Sequence, residues 1–145
     1  FIDAAKAAVA KVGAQTMLTD GIAEAYRHGR DRIAGAAGVR EVLTSMCDQR
    51  QATPYLFEVS GSDWLANHAL GEEVFGPLGL IVRVSDFAQM QAVANSLEGQ
   101  LTCTLHVDAA DYPAAKLLLP VLVELSTHRK FFQSCLINLI STFQF

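Results

Sequence analysis

A chain of 145 residues is long enough for one domain with a core of its own. Apolar residues at 51% and charged residues at 18% describe a globular, slightly apolar chain and exclude disorder. A formal net charge of −4 without a basic cluster gives phosphate backbones little to hold, which argues against nucleic acid as a partner.

In chain order, Ile2 to Val12 reads as a short, Ala-rich helix. A second helix is predicted from Thr19 to about Gly35. Thr19 can cap it, Asp20 and Glu24 complement the positive end of its dipole, and Arg27, Arg30 and Arg32 lie toward the negative end. Leu18, Ile22, Tyr26 and Ile33 keep a helical spacing, and Gly35 and Gly38 end the run. Thr53 to Ser60 is a strand candidate, followed by a short helical turn around Trp64 to His68. Leu78 to Val84 is the clearest strand, so continuously apolar that both faces of its sheet are expected to be covered. Asp86 with Gln89 forms a capping pair for a helix whose buried stripe is Met90, Val93, Ala94 and Leu97, closed by Gly99. Leu101 to Val107 is the next strand. Asp108, with Asp111 at the box position, opens a last helix whose apolar face is Leu117, Leu118, Val121 and Leu122, with a kink at Pro120. The alternation from residue 78 to about 122 is that of an α/β parallel sheet with flanking helices.

Three cysteines (Cys47, Cys103, Cys135) at wide spacing, without a CxxC, read as reduced intracellular thiols. No run reaches the roughly 18 apolar residues of a membrane helix, so no membrane partner is expected. Phe1 stands where a start codon would give Met, and the opening residues do not form a signal peptide. The missing Met leads us to expect a processed or incomplete chain.

The most informative stretch is Gly71-Glu72-Glu73-Val74-Phe75-Gly76-Pro77. A carboxylate held rigidly before a strand suits a pair of vicinal hydroxyls, because each oxygen can accept one O–H at about 1.5–3 kcal/mol. An aromatic two residues on can pack against a flat ring. Taken alone, the stretch reads more readily as an acidic loop with Phe75 anchored in the core.

The same residues resemble the Glu-Glu-(Ile/Val)-Phe-Gly-Pro motif of the aldehyde dehydrogenase superfamily. That resemblance implies part of the family's α/β catalytic domain, incomplete, with an NADP or NAD cofactor. In it Glu73 would bind the nicotinamide ribose and Phe75 would lie beside the nicotinamide end. Met17-Leu18-Thr19-Asp20-Gly21-Ile22 with Ala25-Tyr26, and Leu97-Glu98-Gly99-Gln100-Leu101-Thr102 with Thr104-Leu105-His106, are similar to the α-ketoglutaric semialdehyde (2,5-dioxovalerate) branch. The expectations that follow are a small-molecule aldehyde substrate, a homo-oligomeric parent and a cytoplasmic location.

The resemblance places the family's nucleophilic cysteine, in a Gly-Gln-x-Cys context, upstream of the motif, with the base and most of the cofactor layers further upstream. The chain by itself is therefore expected to be inactive. Gly99-Gln100-Leu101-Thr102-Cys103 imitates the nucleophile's setting, but it has one residue too many and lies on the wrong side of Glu73. Cys103 reads instead as a small buried strand residue. Cys47 lacks a visible partner to lower its pKa, and His28, His68, His106 and His128 lack metal-ligand spacing. Residues 1–125 are expected to be the dehydrogenase portion. Residues 126–145 are read as a divergent apolar tail, either a broken end or a helix in which Phe132, Leu136, Leu139 and Phe143 share a face. The alternative function is a non-catalytic α/β binding module. A hydrolase using Cys47 or Ser60 is weak, because Val59-Ser60-Gly61-Ser62 is not a Gly-x-Ser-x-Gly elbow.

Overall fold

The computed structural model describes residues 1–98, 102–127 and 136–140, with side chains for 1–98 and 103–125. The chain forms two compact units, Phe1–Arg83 and Val84–Phe145.

In the first unit, helix α1 (Ile2–Val9) is shorter than its sequence pattern and buries none of its residues. Helix α2 (Asp20–Ala34) starts where the cap predicts. The Thr19 hydroxyl accepts the Ile22 N–H at 3.2 Å. Its buried residues are Ala23, Tyr26 and Ile33, whereas Leu18, expected on the same stripe, is 79% exposed because it precedes the helix. Short strands β1 (Gln15–Thr16) and β3 (Gln51–Ala52) pair antiparallel.

The main sheet has the order β2-β4-β5, from β2 (Arg40–Leu43), β4 (Tyr55–Ser60) and β5 (Leu78–Arg83). β2 runs antiparallel to β4, and β4 runs parallel to β5 with Tyr55 opposite Leu78. A parallel pair needs a crossover of a dozen or more residues. Residues 61–77 supply it, through helix α3 (Gly61–Ala66), capped by Ser60, and a 3₁₀ turn (His68–Gly71). Period-2 alternation puts Tyr55, Phe57 and Val59 on one face of β4, where they join Tyr26, Ile33, Ala52 and Leu70 in the core. Leu78, Leu80 and Val82 of β5 pack against that core, but β5 is only half-buried along most of its length. Full cover on both faces is found at β4, the central strand, and not at β5 as its composition suggested.

On the other face of β4, Glu58 is 6% exposed. Its carboxylate pairs with Arg40, which lies directly opposite on β2, and with Arg83 of β5 at 3.1 Å. One buried acid thus joins all three strands.

In the second unit, Asp86 accepts the Gln89 N–H at 2.8 Å and opens helix α4 (Phe87–Ser96). The reciprocal bond goes one residue further back than a standard capping box, from the Ser85 N–H to the Gln89 side-chain oxygen at 2.8 Å. The helix ends at Ser96 with Leu97 extended, and Gly99, expected to close it, lies outside the described residues. Strand β6 (Thr102–His106) is followed by a 3₁₀ turn (Ala109–Asp111), in which the Asp111 carboxylate accepts the Asp108 N–H at 3.3 Å, and by helix α5 (Tyr112–Thr127). Met90 and Ala94 of α4 and Leu118, Leu122 and Leu125 of α5 form this core, with Cys103 and Leu105 of β6 against it. Leu117 is 63% exposed, so the buried stripe of α5 follows 118, 122 and 125 and leaves Leu117 out.

Residues Leu136–Ile140 form strand β7, parallel to β6 with Thr102 opposite Leu136. The helical spacing proposed for this segment is therefore corrected: Leu136 and Leu139 lie in a strand. Cys135, Phe131, Phe132 and Phe143 lie outside the described residues.

Candidate functional site

The acidic stretch Gly71–Pro77 is the last part of the crossover into β5, and α2 holds it at several points. Arg32 donates to the Ala69 carbonyl and, at 3.4 Å, to the Glu72 carbonyl, and its guanidinium lies 3.5 Å from the Glu72 carboxylate. Val74 packs on the core of the first unit. The Tyr26 hydroxyl shares its proton between the carbonyls of Thr53 (2.9 Å) and Pro77 (3.3 Å), and the Tyr55 N–H donates to the same Pro77 carbonyl at 2.9 Å. Burial, then the neighbouring Tyr55, pushes the Tyr26 phenol above its ordinary value, so it stays a neutral donor across the physiological range. Gly76 has φ +149°, a conformation that strains any L side chain, and a Cβ there would lie 2.2 Å from the Tyr26 ring.

The two acids of this loop fare differently. Glu72 is engaged by Arg32. Glu73 is half-buried and has no hydrogen bond or ion pair among the described residues. Phe75 is 64% exposed, which overturns the reading of it as a core anchor: Val74 fills that place, and the aromatic face is left to solvent. The loop therefore presents a carboxylate without a hydrogen bond or ion pair among the described residues, and an exposed aromatic ring two residues on.

The other sulfur and imidazole candidates do not join this loop. The Cys47 thiol is half-buried and donates to the Gln51 carbonyl at 3.1 Å. Cys103 belongs to the core of the second unit, and burial pushes its thiol up, away from a thiolate. His28, His68 and His106 are exposed, and His128 lies outside the described residues. Among the described residues no group of three or more His, Cys, Asp or Glu side chains could hold a metal ion, and no helix is long and apolar enough to cross a membrane. A polar depression of about 330 Å³ is lined by Asp20, Glu24, Arg27, His28, Asp31 and Gln49, and includes no residue of the 71–77 loop.

The sequence pattern did not single out the residues of α2 that seat the loop. Tyr26 was read as part of an apolar stripe and of the branch resemblance, Arg32 as a dipole partner, and Gly29 not at all. Gly29 carried a usable signal: a glycine inside a helix costs roughly 1 kcal/mol relative to alanine and needs a packing reason.

No protein-family model matches the chain. It is 48% identical over 124 residues to alpha-ketoglutaric semialdehyde dehydrogenase 2 of Azospirillum brasilense, covering 84% of this chain and 24% of that protein. It is 34% identical over 125 residues to alpha-ketoglutaric semialdehyde dehydrogenase of Acinetobacter baylyi, covering 84% and 23%. The chain belongs to the aldehyde dehydrogenase superfamily. Its fold is similar to that of a NAD-dependent benzaldehyde dehydrogenase from Corynebacterium glutamicum, with a TM-score of 0.66 at 16% identity over 97% of this chain and 29% of that one. That likeness shows the fold, an α/β part of an aldehyde dehydrogenase. The chain spans about a quarter of the length of the curated relatives it matches. Both relatives carry the semialdehyde dehydrogenase name, the branch that Met17–Ile22 and Leu97–Thr102 resemble.

Proposed function

We propose that this chain is the part of an NAD(P)-dependent aldehyde dehydrogenase that holds the nicotinamide ribose, in an enzyme that oxidises α-ketoglutaric semialdehyde to its carboxylic acid. The observation that carries the reading is the division between two adjacent acids. Glu72 is tied to Arg32, and Glu73 has no partner among the described residues, on a loop pinned by Tyr26 and Val74. A partnerless carboxylate on a rigid carrier suits two vicinal hydroxyls, with one accepted by each oxygen. Phe75, exposed two residues on, offers a flat apolar surface beside it. When bound, the cofactor accepts hydride from the aldehyde carbon. Glu73 would hold the ribose hydroxyls and so orient the attached ring, and Phe75 would shield that ring from water.

The thiolate and the base that this chemistry needs are assigned to regions of the enzyme outside these residues, so the chain alone is inactive in this reading. The choice of aldehyde rests on the names of the two curated relatives. A cytoplasmic location fits the unpaired Cys47 and Cys103. A homo-oligomeric parent rests on the family resemblance.

The test is Glu73→Gln in the full-length protein that carries this chain. Reduced nicotinamide is followed with α-ketoglutaric semialdehyde and either NAD or NADP. The reading requires a slower hydride step, and unaltered cofactor kinetics would sink it.

A further inference from the structure

Helix α2 carries a glycine in its interior, ten residues in from Asp20 by inclusive count. Nothing in the helix itself calls for it, since alanine would favour the helical backbone by roughly 1 kcal/mol. The reason lies across from it. A Cβ on Gly29 would stand 2.8 Å from Val74 Cγ1, 2.9 Å from Cγ2 and 3.3 Å from Cβ. Three atoms of one side chain meet the same point, including the branching carbon. Val74 is stiff at χ1, and turning it does not move its own Cβ. Backbone must shift between the loop and α2 to clear the space, by up to about 0.6 Å to restore ordinary contact. Val74 is the residue after Glu73. One helical turn earlier, the Tyr26 ring closes on Gly76 and its hydroxyl donates to Pro77. One turn on, Arg32 takes the Glu72 carbonyl. The face Tyr26–Gly29–Arg32 thus meets the loop on both sides of Glu73.

We infer that Gly29 and Tyr26 are positioning residues that set where the Glu73 carboxylate stands, a role that rests on the proposed contact of Glu73 with the cofactor ribose. Neither residue touches the ribose in this reading. Gly29 sets how closely the loop approaches α2, and Tyr26 locks its C-terminal end. The seat acts on the cofactor side of the reaction alone, so the aldehyde should not sense it.

The experiment uses the full-length protein, with NAD and NADP each varied against saturating α-ketoglutaric semialdehyde, and the aldehyde varied in turn. Gly29→Ala is expected to lower kcat/KM for the cofactor by about 10- to 100-fold, as a sub-ångström displacement does at a positioned group. KM for the aldehyde should hold, and any fall in melting temperature, set by overpacking against Val74, should recover with Val74→Ala. Adding Val74→Ala to Gly29→Ala makes room again and should restore most of the loss. Tyr26→Phe keeps the ring on Gly76 and loses only the hydroxyl, with a fall of about 3- to 10-fold on the same parameter. It reads the seat independently if Gly29→Ala does not fold. Glu73→Gln is measured alongside. Impaired Glu73→Gln with normal Gly29→Ala, or with normal Tyr26→Phe where Gly29→Ala does not fold, overturns the inference alone. A Gly29→Ala loss that Val74→Ala does not relieve also overturns it. Normal Glu73→Gln overturns the ribose reading and the inference with it.

Discussion

Arg32 holds Glu72 twice, at the carboxylate (3.5 Å) and at the backbone carbonyl (3.4 Å), while the next residue, Glu73, has no hydrogen bond or ion pair among the described residues. The pair therefore separates by substitution. In the full-length protein, Glu73→Gln keeps shape and loses the charge-assisted bonds, for a slower hydride step by about 10- to 100-fold at roughly 1.5–3 kcal/mol. Glu72→Gln should change turnover much less. Its ion pair is mostly exposed, and such pairs contribute at most about 1 kcal/mol to stability. Single-turnover kinetics on both variants checks this, and equal effects would contradict the division.

Tyr26→Phe removes a buried donor from two carbonyls and should cost about 1–2 kcal/mol of stability, read by urea unfolding. The same residue predicts an alkaline limit. Its folded pKa is raised above the ordinary value of 10.0, so its contribution is complete below that pH. It is lost as pH rises through the window above it. Ultraviolet titration should show one of the three tyrosines resisting ionisation until the fold opens, and Tyr26→Phe should abolish that late step.

Asp86 predicts the opposite limit. The Gln89 N–H, then the Ser85 hydroxyl, hold its carboxyl below the ordinary 3.8. The stability it gives is present above that value and is lost as pH falls through the lower, folded one. Asp86→Asn retains a good cap and removes the titration. Melting curves of the variant should therefore lose part of the acid dependence and match wild type near neutrality.

Purified alone, the chain should not oxidise α-ketoglutaric semialdehyde or simple aldehydes. Cys47 donates to a carbonyl, and Cys103 is held as a thiol by burial. Turnover above background that disappears on changing either cysteine would refute this.

The isolated chain should also associate. β5 is an outer strand of its sheet, with no partner on its far edge among the described residues, and Leu117 and Leu119 of α5 are exposed. Removing residues 128–145 takes away β7 and bares β6, so association should persist in light scattering on both forms. A cooperatively melting monomer would count against it.

Long elements with caps were legible in the sequence because cap and stripe agree locally. Thr19 with Tyr26 and Ile33, and Asp86 with Met90 and Val93, state the same helix twice. β2 was missed because Arg40-Glu41-Val42-Leu43 is short and half charged, and its place depends on the distant Glu58. The segment at 136–140 was misread because a brief apolar run fits either period, and only the pairing with β6 decides it. At the candidate site, Glu73 and Phe75 are put forward by the motif. Their carrier was not, because a seat made by Gly29 and Tyr26 exists only once residues 29 and 74 are brought together.

Glu58, buried between Arg40 and Arg83, has one more consequence. Shifting β2 by one residue turns Arg40 to the opposite face of the sheet, and shifting β5 does the same to Arg83. A slipped sheet would leave the buried carboxylate one guanidinium in place of two, whereas aligned strands give it both. The two outer guanidiniums thus tie the alignment of three strands to a single buried acid.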